Sequence, residues 1–288
     1  MQIARSLNYA VRRIKEARAL RWAQPVFTFF RPAYLRLITL LAGNRGLLLT
    51  IDGEEVRLCS EFSHFPQQWE PGVSRMLRAA LKPGGVFYDV GAYVGTYTLL
   101  AARRVGAGGM CYSFEPSQVN VDFLRRHLEF NRVGSRAEVF RAAVGREDGQ
   151  LEMSIASEIS MTNRAAAAAP GTASVKVPCI ALDSFATTHR PPTVIKIDVE
   201  GAELLVLQGA KGILRDQRPI IVCSIHLDWL RDLGGSYEAV ESLAAELRYK
   251  VYRLADSSFS TQNIFEIVLL PAEMDGAAAQ DLLALARP

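Results

Sequence analysis

A chain of 288 residues holds one large α/β domain plus an appendage, and 49% hydrophobic with 22% charged side chains is the balance of a soluble globular protein rather than a disordered or fibrous one. The net charge of +3 is unevenly spread: residues 1–45 carry nine Lys/Arg against Glu16, and the remainder holds 24 basic and 29 acidic side chains. The four cysteines (Cys59, Cys111, Cys179, Cys223) lack zinc-type or C-x-x-C spacing, so reduced thiols in a reducing, cytoplasmic setting are expected, and no secretory signal is visible.

Residues 1–45 read as a basic helical arm. Ile3, Leu7, Val11, Ile14 and Ala17 form one helical stripe, and a second apolar stretch around Tyr34–Leu41 is broken by Arg31, Pro32 and Arg36. It falls short of the ~20 apolar residues a membrane span needs. Two readings stand: the stripe packs on the main domain or on a second subunit in a homodimer, or the arm lies on the inner face of an anionic membrane, each basic residue adding about 1 kcal/mol. Nucleic acid is not an expected partner, because no reader motif accompanies the charge.

Residues 46–80 follow as a hairpin and lead-in helix. Leu47–Ile51 and Glu54–Leu58 flank Asp52-Gly53, a hairpin signal, and the apolar spacing predicts a helix over 69–82. From there strand patterns at 86–90, 111–115, 138–143, 194–198, 219–225, 249–254 and 264–270 alternate with helical ones at 95–105, 118–131, 201–214 and 235–247. That alternation predicts a mainly parallel sheet with helices on both faces over 81–271, and a tail or helix over 272–288. The interval 145–193 breaks the rhythm: 150–155 and 173–177 read as an antiparallel pair around the alanine-rich segment 165–171, a flap or a linker.

The first strand carries the chemistry. Val86-Phe-Tyr-Asp-Val-Gly-Ala-Tyr-Val-Gly-Thr-Tyr-Thr98 is a strand, a glycine turn and a helix start, and Glu115 ends the next strand. That is the layout of a nucleoside-cofactor site on an open parallel sheet, with the second acid taking ribose hydroxyls. Gly91 and Gly95 stand four apart with Tyr93 where a dinucleotide motif has its middle glycine, so no pyrophosphate cradle is present and S-adenosylmethionine fits better than NAD. Asp89 is placed near the ligand, Gly91 and Gly95 allow its close approach, and Thr96 and Thr98 read as helix-start or packing residues.

A second constellation is Val194-Ile-Lys-Ile-Asp-Val-Glu-Gly-Ala-Glu203. Asp198 emerges at a strand's carboxyl end beside the ligand crevice, and Glu200 follows in the loop. Lys196 is read evenly as a structural ion pair or a substrate contact, and Glu203 as a favourable charge on a helix dipole. His226 ends the next strand as a general base or hydrogen-bond partner. His64, His127 and His189 have no comparable context.

Together Phe87–Thr96, Phe114-Glu-Pro-Ser117, Ala142-Ala-Val-Gly145, Leu182-Asp-Ser-Phe185 and Ile195–Glu203 resemble the FkbM-type S-adenosylmethionine-dependent methyltransferases over about 80–270. The resemblance implies a class I methyltransferase fold, Rossmann-like, with a seven-stranded sheet whose last strand is antiparallel. It also implies methyl transfer to a hydroxyl of a sugar, glycan, glycolipid or natural product, with Ala142 bordering the adenine. Relatives often carry a carboxylate two residues before the histidine matching His226, where this chain has Ser224. A divalent metal is therefore unsupported, although Asp198, Glu200 and Asp228 are conceivable ligands. Asp198 and His226 are the candidate bases. The rival readings are a nicotinamide-dependent oxidoreductase, disfavoured by Tyr93, and a non-catalytic membrane-associated binding protein of the same fold.

Overall fold

The structure, a computed structural model, describes residues 24–43, 45–154, 174–254 and 263–287. The stripe at 3–17 and the alanine-rich segment 165–171 lie outside the described residues. Helix α1 (Gln24–Ala42) leads to the hairpin β1 (Leu47–Ile51) and β2 (Glu54–Leu58), paired in the register that Asp52-Gly53 requires, and to α2 (Pro71–Ala80). The core then runs β3 (Val86–Val90), α3 (Thr96–Val105), β4 (Met110–Phe114), α4 (Gln118–Phe130), β5 (Ala137–Phe140), β6 (Ala143–Val144), β7 (Gly149–Ser154), β8 (Ser174–Ile180) and α5 (Leu182–Phe185). It continues with β9 (Val194–Ile197), α6 (Glu203–Gln208), α7 (Lys211–Asp216), β10 (Ile220–His226), α8 (Leu227–Asp232), α9 (Tyr237–Glu246), β11 (Tyr249–Arg253), β12 (Ile264–Pro271) and α10 (Gly276–Leu285).

Seven strands form one sheet in the order β11-β12-β10-β9-β3-β4-β5. The pairings among β10, β9, β3, β4 and β5 are parallel, and β12 runs antiparallel between β10 and β11, the class I methyltransferase arrangement. Period-two alternation divides the strands between two cores. Phe87, Cys111, Val194, Val222 and Val268 face the hairpin and α2–α4. Tyr88, Tyr112, Ile195, Ile221 and Ile267 face α6, α7 and α9. Burying a side chain such as Phe87 or Leu124 contributes about 1.5–3 kcal/mol, so both faces hold the sheet. At its carboxyl end the first face turns polar, where Ser113, Asp89, Lys196, Ser224 and Glu266 are all buried.

Two sequence expectations need refinement. The pattern at 201–214 is two helices, because a Cβ on Gly209 would lie 2.1 Å from the Gly145 carbonyl, and Asp183 accepts hydrogen bonds from Gly212 N (2.7 Å) and Ile213 N (2.8 Å), restarting the helix. The strand read at 138–143 stops at Phe140, and Ala143–Val144 pair instead with β8. That transfer makes β6, β8 and β7 a separate three-stranded sheet after the main sheet's edge strand β5, with β7 and β8 antiparallel as expected.

Along α1, Ile38 and Ala42 are buried against the domain, while Phe30, Leu37 and Leu40 are exposed. No helix among the described residues is long and apolar enough to cross a membrane. Asp52 does more than turn the hairpin. Its carboxylate accepts from Trp69 N, Glu70 N and Ser74 Oγ (2.8, 3.1 and 2.8 Å), which fixes the start of α2 against the sheet's carboxyl end. His127 is a satisfied core histidine: its ring bonds Cys59 N and Val94 O, and burial lowers it to about 4.

Candidate active site

A cleft of about 280 Å³ opens at the carboxyl ends of the parallel strands, where open α/β sheets bind ligands. At one end the β3–α3 turn passes through three residues with positive φ: Gly91 (80°), Tyr93 (50°) and Gly95 (86°). Gly91 N and Ala92 N both donate to the Phe114 carbonyl at 3.0 Å, which ties the turn to β4. Glu115, just beyond β4, accepts from Tyr93 N (2.9 Å), Ser117 N (2.9 Å) and Asn120 Nδ2 (3.1 Å). A carboxylate so held keeps lone pairs for a ligand's vicinal hydroxyls, and Glu115 lines the cleft. Burial nevertheless outweighs these three bonds and raises Glu115 to about 7.

The glycines serve the protein as well as the cleft. A Cβ on Gly91 would lie 1.8 Å from the Asp198 carbonyl oxygen, and one on Gly95 would lie 1.9 Å from Leu124 Cδ1. Gly91 lines the cleft, whereas Gly95 is not among its lining residues. Gly91→Ala is expected to cost on the order of 3–5 kcal/mol, because it combines a left-handed φ with a backbone collision. Thermal unfolding should show a fall on the order of 10 °C, and an unchanged midpoint would contradict this packing.

Asp89 also departs from expectation. It is buried beneath the turn and outside the cleft lining, with Thr98 Oγ1 donating to it at 2.5 Å and Ser113 Oγ 2.8 Å beyond. Burial raises it to about 6. Asp89 therefore supports the strand end from below, and Thr98, read as a packing residue, is its hydrogen-bond donor. Tyr93 and Ala142 both line the cleft, and Leu151 and Met153 of β7 join Ala142 there.

The other end gathers charge. Lys196 is fully buried, with Nζ bonded to Ser224 Oγ and to the Ile197 carbonyl (3.3 Å), and paired with Asp198 Oδ2 (3.5 Å) and Glu266 Oε2 (3.8 Å). Burial opposes the ammonium charge, but Asp198, Glu266 and Glu70 outweigh it and raise the group further. Ser224, two residues before His226, meets a carboxylate from another strand. Glu266 of β12 pairs in register with Ser224 and accepts from its hydroxyl at 2.8 Å. Glu70, at the start of α2, enters the same wall bonded to the Tyr97 hydroxyl, and burial with repulsion from Glu266 raises it to about 8.

His226 stands among three carboxylates. Nδ1 lies 2.8 Å from Glu203 Oε1, and Nε2 lies 3.8 Å from Asp198 Oδ1 and 3.7 Å from Glu200 Oε2. The ring stacks on Trp229 with centroids 5.0 Å apart. Burial disfavours its charge, but the Glu203 bond and the fields of Asp198, Glu203 and Glu200 prevail, raising it to about 9. At neutral pH the ring is thus an imidazolium, which bears against His226 as the base. Asp198, Glu200 and His226 bring ligand-type atoms within 4.8 Å of one another. Asp228 is remote from this group, exposed and bonded to Asn263.

Glu70 and Glu266 were not singled out by the sequence, and Glu203 was read only as a charge on a helix dipole. Glu266 had a signal, an acid inside the apolar run Ile264–Leu270, as Lys196 did inside its own strand. Glu70 and Glu203 sit at helix starts, where an acid is ordinary.

The model of the methyltransferase FkbM domain matches residues 89–254. No curated protein matches the chain. Among solved structures, a methyltransferase FkbM from Methylobacillus flagellatus is 15% identical with a TM-score of 0.44, covering 73% of this chain and 52% of that one. This chain therefore spans about half the length of that relative. An O-methyltransferase from Bacillus cereus in complex with SAH is 17% identical (TM-score 0.46, 69% and 81% covered). A putative rRNA-methylase from Clostridium thermocellum is 10% identical (0.47, 70% and 95%).

Proposed function

Because the chain belongs to the FkbM methyltransferase family, we propose that it is an S-adenosylmethionine-dependent methyltransferase that methylates a hydroxyl oxygen of a sugar, glycan, glycolipid or natural product. The observation that carries this reading is one cleft lined by Glu115 at one end and by Asp198 and His226 at the other. The residues present fit the cofactor: Glu115 offers a fixed acceptor for ribose hydroxyls, and Tyr93, Ala142 and the Gly91 turn, which line the same cleft, would border it. When bound, S-adenosylmethionine supplies an activated methyl, so the chain has chiefly to position an oxygen and exclude water.

Asp198 is the base in this reading. It is 29% exposed at the cleft, unlike the buried carboxylates behind it, and it faces both Lys196 and His226. Its carboxylate takes the proton of an acceptor hydroxyl as the oxygen takes the methyl. His226, already protonated, donates through Nε2 to the acceptor oxygen and fixes its approach. Trp69 and Glu70 wall the acceptor side from outside the family-matched segment.

Incubating the purified protein with methyl-labelled S-adenosylmethionine and cell extract tests the reading. A labelled product one methylene heavier, whose label survives mild base as an ether does, is expected. Label in carboxyl ester or amine alone would overturn the oxygen assignment. Titration with S-adenosylhomocysteine and NAD separates it from the oxidoreductase reading.

A further inference from the structure

Helix α1 has two unlike sides. Ile38 and Ala42 are buried against the domain, and Thr39 Oγ1 lies 2.6 Å from Ser60 Oγ, just beyond β2. These contacts fix which side faces out. On the opposite side Phe30, Ala33, Leu37 and Leu40 follow one another at the three- and four-residue spacing of one helical stripe. Phe30, Leu37 and Leu40 are 57%, 47% and 76% exposed, so a contiguous row of large apolar side chains contributes little to the fold. Arg36, also exposed, flanks the row, and Arg45 is exposed just past the helix. The sequence from Ala17 to Ile51 holds five arginines and no acid. The face is therefore apolar along its middle and cationic at its margins.

We propose that this face of α1 docks on an anionic lipid surface, with Phe30, Leu37 and Leu40 entering the boundary between headgroups and acyl chains and Arg36 and Arg45 meeting lipid phosphates. Charge selects this occupant over two others that an apolar helix face can take. In a two-fold pairing with a second copy the patch meets itself, so Arg36 of each copy enters an interface to which the segment 17–51 brings no carboxylate. The seam is also short. Phe30 to Leu40 runs about 15 Å along the axis, under the roughly three heptads that a coiled coil needs. Residues 1–23 hold six basic side chains against Glu16, so laying them on this face would press like charges together. An anionic bilayer accepts the apolar row and is attracted by every arginine beside it. The proposal is independent of the acceptor assignment, since none of these α1 residues lines the cleft.

Sedimentation of the full chain with vesicles of phosphatidylcholine alone, or of phosphatidylcholine with about 30 mol% phosphatidylglycerol, tests the proposal. Affinity for the anionic vesicles should exceed that for the neutral ones at least about tenfold, and should weaken several-fold between about 0.1 and 0.5 M salt. Leu37→Gln combined with Leu40→Gln keeps good helix formers and should lower anionic binding at least about tenfold. Its thermal midpoint should stay within about 2 °C of the wild type, because exposed positions add little to stability. Arg36→Glu should weaken anionic binding about threefold or more and flatten its salt dependence. Equal affinity for the two vesicle types, or no binding to either, would overturn the proposal, and that comparison needs no variant to fold. Anionic binding that survives the double substitution would overturn it as well. A wild-type dimer that the same substitution splits, seen by sedimentation velocity, would assign the face to a second copy. A midpoint lowered by about 5 °C or more, without lipid binding by the wild type, would assign it to the chain's own first residues.

Discussion

Asp198→Asn is expected to lower methyl transfer by about 10²–10⁴-fold, the range that a positioned base contributes, with S-adenosylhomocysteine affinity held within about threefold. The amide keeps the shape of the side chain and its hydrogen-bonding reach, so the cleft persists while the proton acceptor is lost. Lys196 keeps Glu266 and the Ser224 hydroxyl, so no buried charge is stranded by the change. The pH profile adds a second readout. With Asp198 as base and His226 as donor, the wild-type rate should be flat through neutrality and fall above about 9, where the ring loses its proton. A rate that climbed tenfold between about pH 7.5 and 9.5 would make His226 the base instead. Stability should follow the same group. His226 has a folded value raised above its ordinary 6.5, so its contribution is complete below 6.5 and is lost as pH rises through about 9.

Cofactor binding should weaken in acid because of Glu115. In the empty cleft its carboxyl is raised to about 7, so the neutral form prevails below neutrality. Ribose hydroxyls donate to the ionised form and pull the equilibrium toward it. Affinity for S-adenosylhomocysteine, measured by calorimetry, should therefore fall about tenfold from pH 8 to pH 6. Glu115→Gln should cost about 10–100-fold at pH 8, the worth of charge-assisted hydrogen bonds to the sugar, and should abolish most of the pH dependence. A flat wild-type profile, together with near-normal binding by the glutamine variant, would mean that Glu115 serves only the turn it ties down.

The sheet was legible because strand and helix periods alternate from Val86 to Leu270 on either side of the interval 145–193, and the glycine turn with Glu115 marked which edge carries the cleft. The chemistry of the opposite end was legible only in part. Asp198 and His226 stand at strand ends, where position alone points to function. Glu203 was read as a dipole partner because a one-dimensional pattern cannot tell that α6 turns its first side chain inward beneath β10. Glu266 could not be linked to Ser224, since that pairing depends on β12 entering antiparallel between β10 and β11. Asp89 was expected beside the cofactor as part of the glycine motif, and it stands outside the cleft lining. Period two sends its side chain under the turn, toward Thr98. The break at Gly209 followed from a close approach to Gly145, a contact between segments far apart in sequence.

The van der Waals meeting of Gly91 with the Asp198 carbonyl has a mechanical corollary. Main chain bears on main chain there, with no flexible side chain between to absorb a shift. In the proposed reaction the donor floor and the nucleophile's seat would consequently be set at a fixed separation by the scaffold itself. Surrounding walls from β7, α2 and β12 are then free to diverge for new acceptors without detuning the distance over which the methyl must travel.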